Sequence, residues 1–258
     1  MSTGNYANVN GIKMYYEIHG EGEPLVLIHG GGSTIESNWS QVLPIFAGKY
    51  KVIAVELQAH GHTSDRDAPE TFEQDADDVA ALLKQLNIAK AAIFGFSNGG
   101  STTLQIAIRY PELVDKIIVA SGAYRRDEFI PGFFDMMQNA RLENMPQPLK
   151  DAFLEINNDT VALRNMHDKD ADRMRNFKDW NDDALQSIQA PTLIMNADKD
   201  VVLIEHAVKM STLIPKAQLV ILPGVHGVFL GEVCTTVPGS KLPGITVELV
   251  REFLEKKP

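Results

Sequence analysis

Short, almost uninterrupted apolar runs, separated by amphipathic stretches, constrain this sequence more than any other feature. Residues 25–29, 52–55, 91–94, 117–120, 192–195 and 218–222 follow this pattern. A strand buried on one face alternates apolar and polar residues, whereas a run without alternation suits a strand covered on both faces. Residues 6–9 and 12–18 flank Asn10-Gly11, a dipeptide that favours a tight hairpin turn. Between the runs, Phe72, Ala76, Val79, Ala80, Leu83 and Leu86 recur at helical spacing, with Asp75, Asp77 and Asp78 near the start, where the helix dipole favours acids. Residues 98–110, closed by Pro111, and residues 205–214 and 246–256 also read as helices. Strands alternating with helices predict an α/β protein with a mostly parallel central sheet flanked by helices.

A chain of 258 residues suits one large domain or a domain carrying an insertion. The stretch 124–185 breaks the alternation: it shows no clear strand and is rich in Met, Phe, Asn and charged residues. A connection of this length is usually functional. It predicts an inserted helical cap over 124–185, with residues 1–123 and 186–258 forming the core domain; a pair of ordinary packing helices is the alternative. Phe129, Phe133, Phe134, Met136, Met137 and Met145 offer an apolar pocket lining, although packing of the cap onto the body accounts for most of them on this reading. A Met-rich surface adapts to varied shapes and suits a small to medium apolar group.

The formal net charge of −10 argues against nucleic acid and anionic membrane surfaces as partners. Cys234 is the single cysteine, which excludes an internal disulfide and makes a cysteine zinc site a poor expectation. The stretch from Met1 to Asn10 is polar and does not read as a secretory signal, and no apolar segment is long enough to span a bilayer. Cytoplasmic residence is the default expectation.

Gly95-Phe96-Ser97-Asn98-Gly99 lies between a strand-like run and a helical one. A strand that turns sharply into a helix brings its backbone against its neighbours, so small residues are needed at positions 95 and 99. Ser97 would then project at a helix N-terminus, where N–H groups face developing negative charge. A serine hydroxyl needs a base, and the base an orienting acid, in the chain order Ser, Asp, His. Asp200 follows the run 192–195 and His226 follows 218–222, both in turns at the carboxyl ends of strands. Asp198 is a rival that spacing alone does not exclude. His206 reads as a surface residue or one behind the site, His167 as solvent-facing, and His60 and His62 as ordinary loop residues. His29 braces a loop. The glycines after it, Gly31 or Gly32, would lend a backbone N–H to an oxyanion hole shared with Asn98. Gly30-Gly31-Gly32-Ser33-Thr34 lacks the spacing of a dinucleotide fingerprint, no Walker lysine follows, and no metal or organic cofactor is implied.

These motifs resemble the α/β-hydrolase superfamily, in particular its small esterase-like serine hydrolases, over nearly the whole chain. Tyr16-Glu17-Ile18-His19-Gly20 with Pro24-Leu25-Val26-Leu27-Ile28-His29-Gly30 is similar to the family's opening, and His60-Gly61-His62-Thr63-Ser64 to its loop after the fourth strand. The family's small-x-x-Asp pattern maps onto Ala197-Asp198-Lys199-Asp200 and favours Asp200 as the acid. Leu222-Pro223-Gly224-Val225-His226-Gly227 resembles its histidine loop. Ala197, Glu56 and Ala59 depart from common family residues without touching Ser97, Asp200 or His226. The stretch 231–243 is longer than a direct run into the last helix. The resemblance implies an α/β-hydrolase fold and cleavage of a carboxylic ester of a small molecule with an apolar group. Its alternatives are a cofactor-free perhydrolase, a carbon–carbon bond hydrolase, a lyase, or a non-enzymatic ligand receptor.

Overall fold

The computed structural model describes residues 4–256, so the first residues of the polar N-terminal stretch, Met1 to Thr3, lie outside it. Strands β1 (Asn5–Val9) and β2 (Ile12–His19) pair as a hairpin. Asn10 and Gly11 both take positive φ, 42° and 87°, as a tight two-residue turn requires. The sheet continues with β3 (Pro24–Ile28), β4 (Lys51–Val55), β5 (Ala91–Phe96), β6 (Val114–Ala120), β7 (Thr192–Lys199) and β8 (Ala217–Val225). These form one 8-stranded sheet in the order β1-β2-β4-β3-β5-β6-β7-β8. The β1–β2 and β2–β4 pairs are antiparallel and every other pair is parallel.

In the inner strands the uninterrupted runs have the cause their pattern implies, whereas the run 218–222 lies in the edge strand β8 and is mostly only half-buried. In β3, Leu25 and Leu27 enter a cluster with Trp39, Phe46 and Phe94 on one face. Val26 and Ile28 enter another with Val79, Leu83 and Leu104 on the opposite face. All four side chains are fully buried, and each such burial stabilises by about 1.5–3 kcal/mol. Helices α1 (Ile35–Trp39) and α2 (Leu43–Ala47) follow β3. The sequence pattern did not announce them, because five residues are too few for a helical period to register. Thr34 and Ser37 exchange capping hydrogen bonds at the start of α1. Helix α3 (Phe72–Gln85) starts at Thr71, whose side chain accepts from the Gln74 N–H. Helix α4 (Asn98–Arg109) follows β5 directly.

Between β6 and β7 lie α5 (Phe133–Gln138), α6 (Gln147–Ile156), α7 (Thr160–Asn176) and α8 (Asp182–Gln186). Helices α5 and α6 pack on α7, whereas α8 packs against α4 and α9 (Ile204–Leu213) of the body. Tyr124 and Leu185, the ends of the expected insertion, belong to the sheet cluster around Val79. Within 124–185, residues from Phe129 to Phe177 line the cavity that opens over the carboxyl ends of the strands. The long stretch 231–243 leads into α10 (Leu242–Glu255) and braces α1: the Val233 N–H donates to the Ser37 carbonyl at 2.9 Å. Among the described residues no helix is long and apolar enough to cross a membrane.

Candidate active site

Ser97 sits between the last residue of β5 and the first of α4 with φ 54° and ψ −120°. Its neighbours explain the glycines. A Cβ on Gly95 would lie 1.9 Å from the Gly99 carbonyl oxygen, and one on Gly99 would lie 2.2 Å from that of Ile28. Backbone cannot yield as a flexible side chain does, so only glycine permits this approach. The Ser97 N–H donates to the Ala120 carbonyl at 2.8 Å, and the Ser97 carbonyl accepts from the Gly100 and Ser101 N–H groups. The left-handed backbone of Ser97 is thus over-determined by the strand beside it and the helix after it.

The turns after β7 and β8 carry Asp200 and His226 to Ser97. His226 Nε2 lies 3.0 Å from Ser97 Oγ, and His226 Nδ1 lies 2.6 Å from Asp200 Oδ1. With the Nδ1 proton donated to the carboxylate, Nε2 is left to accept the Ser97 hydroxyl proton. Asp200 Oδ2 accepts from Ser121 Oγ at 2.6 Å, and the Val202 N–H donates to Oδ1 at 3.3 Å. Burial opposes ionisation of Asp200, but His226 and these hydrogen bonds outweigh it and hold its carboxyl below the usual range. Asp198 turns elsewhere: it accepts from the Gly224 N–H at 2.6 Å. Ser121 was not singled out in the sequence, since nothing near it marks a functional turn.

The loop after β3 presents backbone N–H groups beside Ser97. The Gly30 N–H is held by Asn38 Oδ1 at 2.8 Å. The Gly30 carbonyl accepts from His29 Nδ1 at 2.7 Å and from the Ser33 N–H at 3.3 Å. Because a trans peptide sets its N–H opposite its carbonyl, fixing the Gly30 carbonyl also aims the Gly31 N–H. That N–H has no partner among the described residues. The Gly32 N–H differs from the expectation of a free donor: it already donates to Asp170 Oδ2 at 2.6 Å. His29 is a neutral brace. Its Nε2 accepts from the Leu57 N–H at 3.1 Å, and burial, with the charge of His60, lowers its pKa to about 3.

Three other histidines depart from their expected places. His60 is no plain loop residue. Its Nδ1 faces the Gln58 carbonyl at 2.8 Å and its Nε2 faces Asp170 Oδ2 at 3.0 Å, so each ring nitrogen meets an acceptor, with the Gly32 N–H also 3.2 Å from Nε2. Burial alone would lower its pKa, but Asp170, by charge and hydrogen bond, and Glu70 raise it to about 9. His167 lines the cavity above Ser97, and His206 is buried against Tyr124 and 2.5 Å from Glu128. Behind His60 lies a buried ionic group. Arg173 on α7 pairs with Glu70, with Asp75 at 2.8 Å and with Asp170 at 3.2 Å. Burial raises Glu70 to about 7 against the pull of Arg173.

A cavity of about 470 Å³ opens over Ser97. Gly31, Ser97, Asn98 and His226 form its floor, and residues between Phe129 and Phe177 its roof. Five of the six expected lining residues, Phe129, Phe133, Met136, Met137 and Met145, face it, more than the packing expectation allowed. Phe134 does not; it packs on Phe129 and beneath the Arg126 guanidinium. Among the described residues Arg141, exposed, is the Lys or Arg side chain of the lining.

Residues 23–155 match the family described as the alpha/beta hydrolase fold. A human serine hydrolase is 30% identical over 206 residues, 74% of this chain and 68% of that protein. A 2-hydroxy-6-oxo-6-(2'-aminophenyl)hexa-2,4-dienoic acid hydrolase of Metapseudomonas resinovorans is 35% identical over 121 residues, 46% of this chain. That match takes in 42% of the relative, so the chain spans less than half of its length. The crystal structure of a serine hydrolase involved in carbazole degradation superposes with a TM-score of 0.80 at 25% identity, covering 98% of this chain and 99% of that one. The chain belongs to the α/β-hydrolase family.

Proposed function

We propose that the protein is a serine hydrolase that cleaves a carboxylic ester with an apolar group through an acyl-enzyme intermediate. The observation that carries this reading is the unbroken line Ser97–His226–Asp200 at the floor of an apolar cavity. Ser97 Oγ attacks the ester carbonyl carbon while His226 Nε2 takes its proton. The N–H groups of Asn98 and Gly31 receive the oxyanion, in a site where donors aimed in advance are worth far more than in water. On collapse the ester C–O bond breaks and the leaving alkoxide takes the proton from His226. Water, deprotonated by His226, then attacks the acyl carbon, releases the acid and returns the proton to Ser97. Residues 129–177 serve as a cap that shapes the acyl or alcohol site.

Cleavage of a carbon–carbon bond in a dienoate is the second reading, favoured by the likeness to the Metapseudomonas resinovorans protein. Such a substrate carries a carboxylate that asks for a cation. Arg173 is enclosed by Glu70, Asp75 and Asp170, and Arg141 is exposed. Arg141 does line the cavity, but a pairing at so exposed a side chain is worth little, so the ester reading fits the apolar lining better. A panel of p-nitrophenyl esters of increasing acyl length, run with a dienoate on wild type and Ser97→Ala, tests both. Wild type turns over the esters, and Ser97→Ala loses about 10⁴-fold or more in kcat. Full activity of Ser97→Ala would remove the assignment.

A further inference from the structure

Asp170 comes from α7, in the roof, yet its carboxylate reaches the floor. Its Oδ2 accepts from the Gly32 N–H at 2.6 Å and from His60 Nε2 at 3.0 Å. Its Oδ1 accepts from the side-chain amide of Asn98 at 3.3 Å, and Arg173 lies 3.2 Å away. The N–H groups that would hold an oxyanion belong to two separate pieces of chain, the glycine loop after β3 and the start of α4. One carboxylate fastens both, bonding to the residue after Gly31 on one side and to the side chain of Asn98 on the other. A Cβ placed on Gly31 would lie 2.6 Å from Asn98 Nδ2 and 3.1 Å from Asp170 Oδ2, so the three residues are in contact.

We infer that Asp170 is a positioning residue for the oxyanion donors, supplied by the segment that covers the site; the inference rests on the acyl-transfer reading above. The need for such a residue follows from the loop's composition. Gly30-Gly31-Gly32 has more backbone freedom than any other tripeptide, and a donor is effective only when its direction is set before the charge develops. The Gly30 peptide is held from the body by Asn38, His29 and Ser33. Asp170 holds the next link, and so fixes the Gly31 N–H from both sides. A bare carboxylate here would repel the oxyanion. His60, with both nitrogens on acceptors, and Arg173 set positive charge against it. Asp170 therefore orients donors without presenting an unbalanced negative field.

The test compares Asp170→Ala, Asp170→Asn and Ser97→Ala with wild type. Two readouts are used: hydrolysis of p-nitrophenyl butyrate, and inhibition by an alkyl trifluoromethyl ketone, which Ser97 would convert to a tetrahedral oxyanion. Asp170→Ala is expected to lose on the order of 100-fold in kcat and in ketone affinity, with KM within about threefold. Asp170→Asn keeps an acceptor for the Gly32 N–H and is expected to recover about tenfold of both. A loss of packing alone would not move ketone affinity in step with kcat. If Asp170→Ala does not fold, the near-isosteric Asp170→Asn decides through the same ratio. A folded variant with kcat and ketone affinity within about twofold of wild type overturns the inference, as does a rise in KM with kcat unchanged. Activity in Ser97→Ala would instead remove the acyl-transfer reading itself, so the two failures are distinguishable.

Discussion

Ser121 Oγ donates a 2.6 Å hydrogen bond to Oδ2 of Asp200, the oxygen that does not bond to His226. Ser121 itself takes a positive φ of 51°, with its N–H on the Met195 carbonyl at 2.8 Å. The acid of the proposed triad is thus gripped from β6 as well as presented by the turn after β7. Removing the grip in Ser121→Ala is expected to lower kcat about tenfold, the worth of one hydrogen bond to a charged acceptor, with KM unchanged. Asp200→Asn, which disturbs the His226 tautomer, is expected to lower kcat by about 10⁴. Steady-state kinetics on one p-nitrophenyl ester checks both, and equal losses in the two variants would contradict this order.

Arg173 balances Glu70, Asp75 and Asp170 in a site with little solvent. Arg173→Leu leaves those carboxylates without their common partner and is expected to destabilise the fold by about 3–5 kcal/mol. Urea unfolding followed by circular dichroism measures the loss. A midpoint equal to wild type would mean that the ionic group contributes nothing net.

The same group sets the direction of the pH response. His60 is raised from 6.5 to about 9 in the folded protein, so its contribution is full below 6.5 and is lost as pH rises through about 9. Glu70 is raised from 4.5 to about 7, so its contribution is present below 4.5 and is lost as pH rises through about 7. Both favour the more protonated state, and stability is expected to fall from about pH 4.5, through Glu70, to about pH 9, through His60. Asp170 is held below its ordinary range by His60 and Arg173 against its burial, so its contribution is lost in acid. Thermal midpoints across this window test the slope, which His60→Gln is expected to flatten.

Phe72 and Phe177 line the cavity over Ser97 on one side and an outer groove on the other. Their ring centroids stand 5.6 Å apart in an edge contact, forming a wall one ring thick. Phe177→Ala is expected to join the two spaces and move the preferred acyl chain to greater length. Each added methylene would gain about threefold to fourfold in kcat/KM, from about 0.8 kcal/mol of burial. An unchanged chain-length optimum on the ester panel would show that the wall does not limit the substrate.

The sheet was legible because strands buried on both faces leave uninterrupted apolar runs, and β3 and β4 carry little else. Strand ends were less so. Strand β7 runs on through polar Asp198 to Lys199, and β8 through Pro223 and Gly224 to Val225, where the residues serve the turns rather than the core. Ser97 was readable from its glycines, whereas Asp198 and Asp200 could be separated only by the direction each turn gives its side chain. The ionic group behind His60 leaves only a faint signal in the sequence. Leu163, Met166, Asp170 and Arg173 recur at spacings of a single helical face, so the charges continue the buried stripe of α7. Charge in such a stripe marks a partner elsewhere in the chain, and that partner's position is not a local property.

The backbone of Ser97 has a consequence beyond chemistry. A non-glycine residue at φ 54° and ψ −120° stays there only while β3, β6 and α4 press around it. Once the chain opens, that conformation relaxes, and His226, 129 residues away, drifts off the hydroxyl. If Ser97 is the nucleophile proposed above, the reactivity of a single oxygen is a gauge of the entire sheet. On that proposal, the fraction of molecules that take up a fluorophosphonate in a short pulse would count the native population, with no chromophore and no reporter added to the chain.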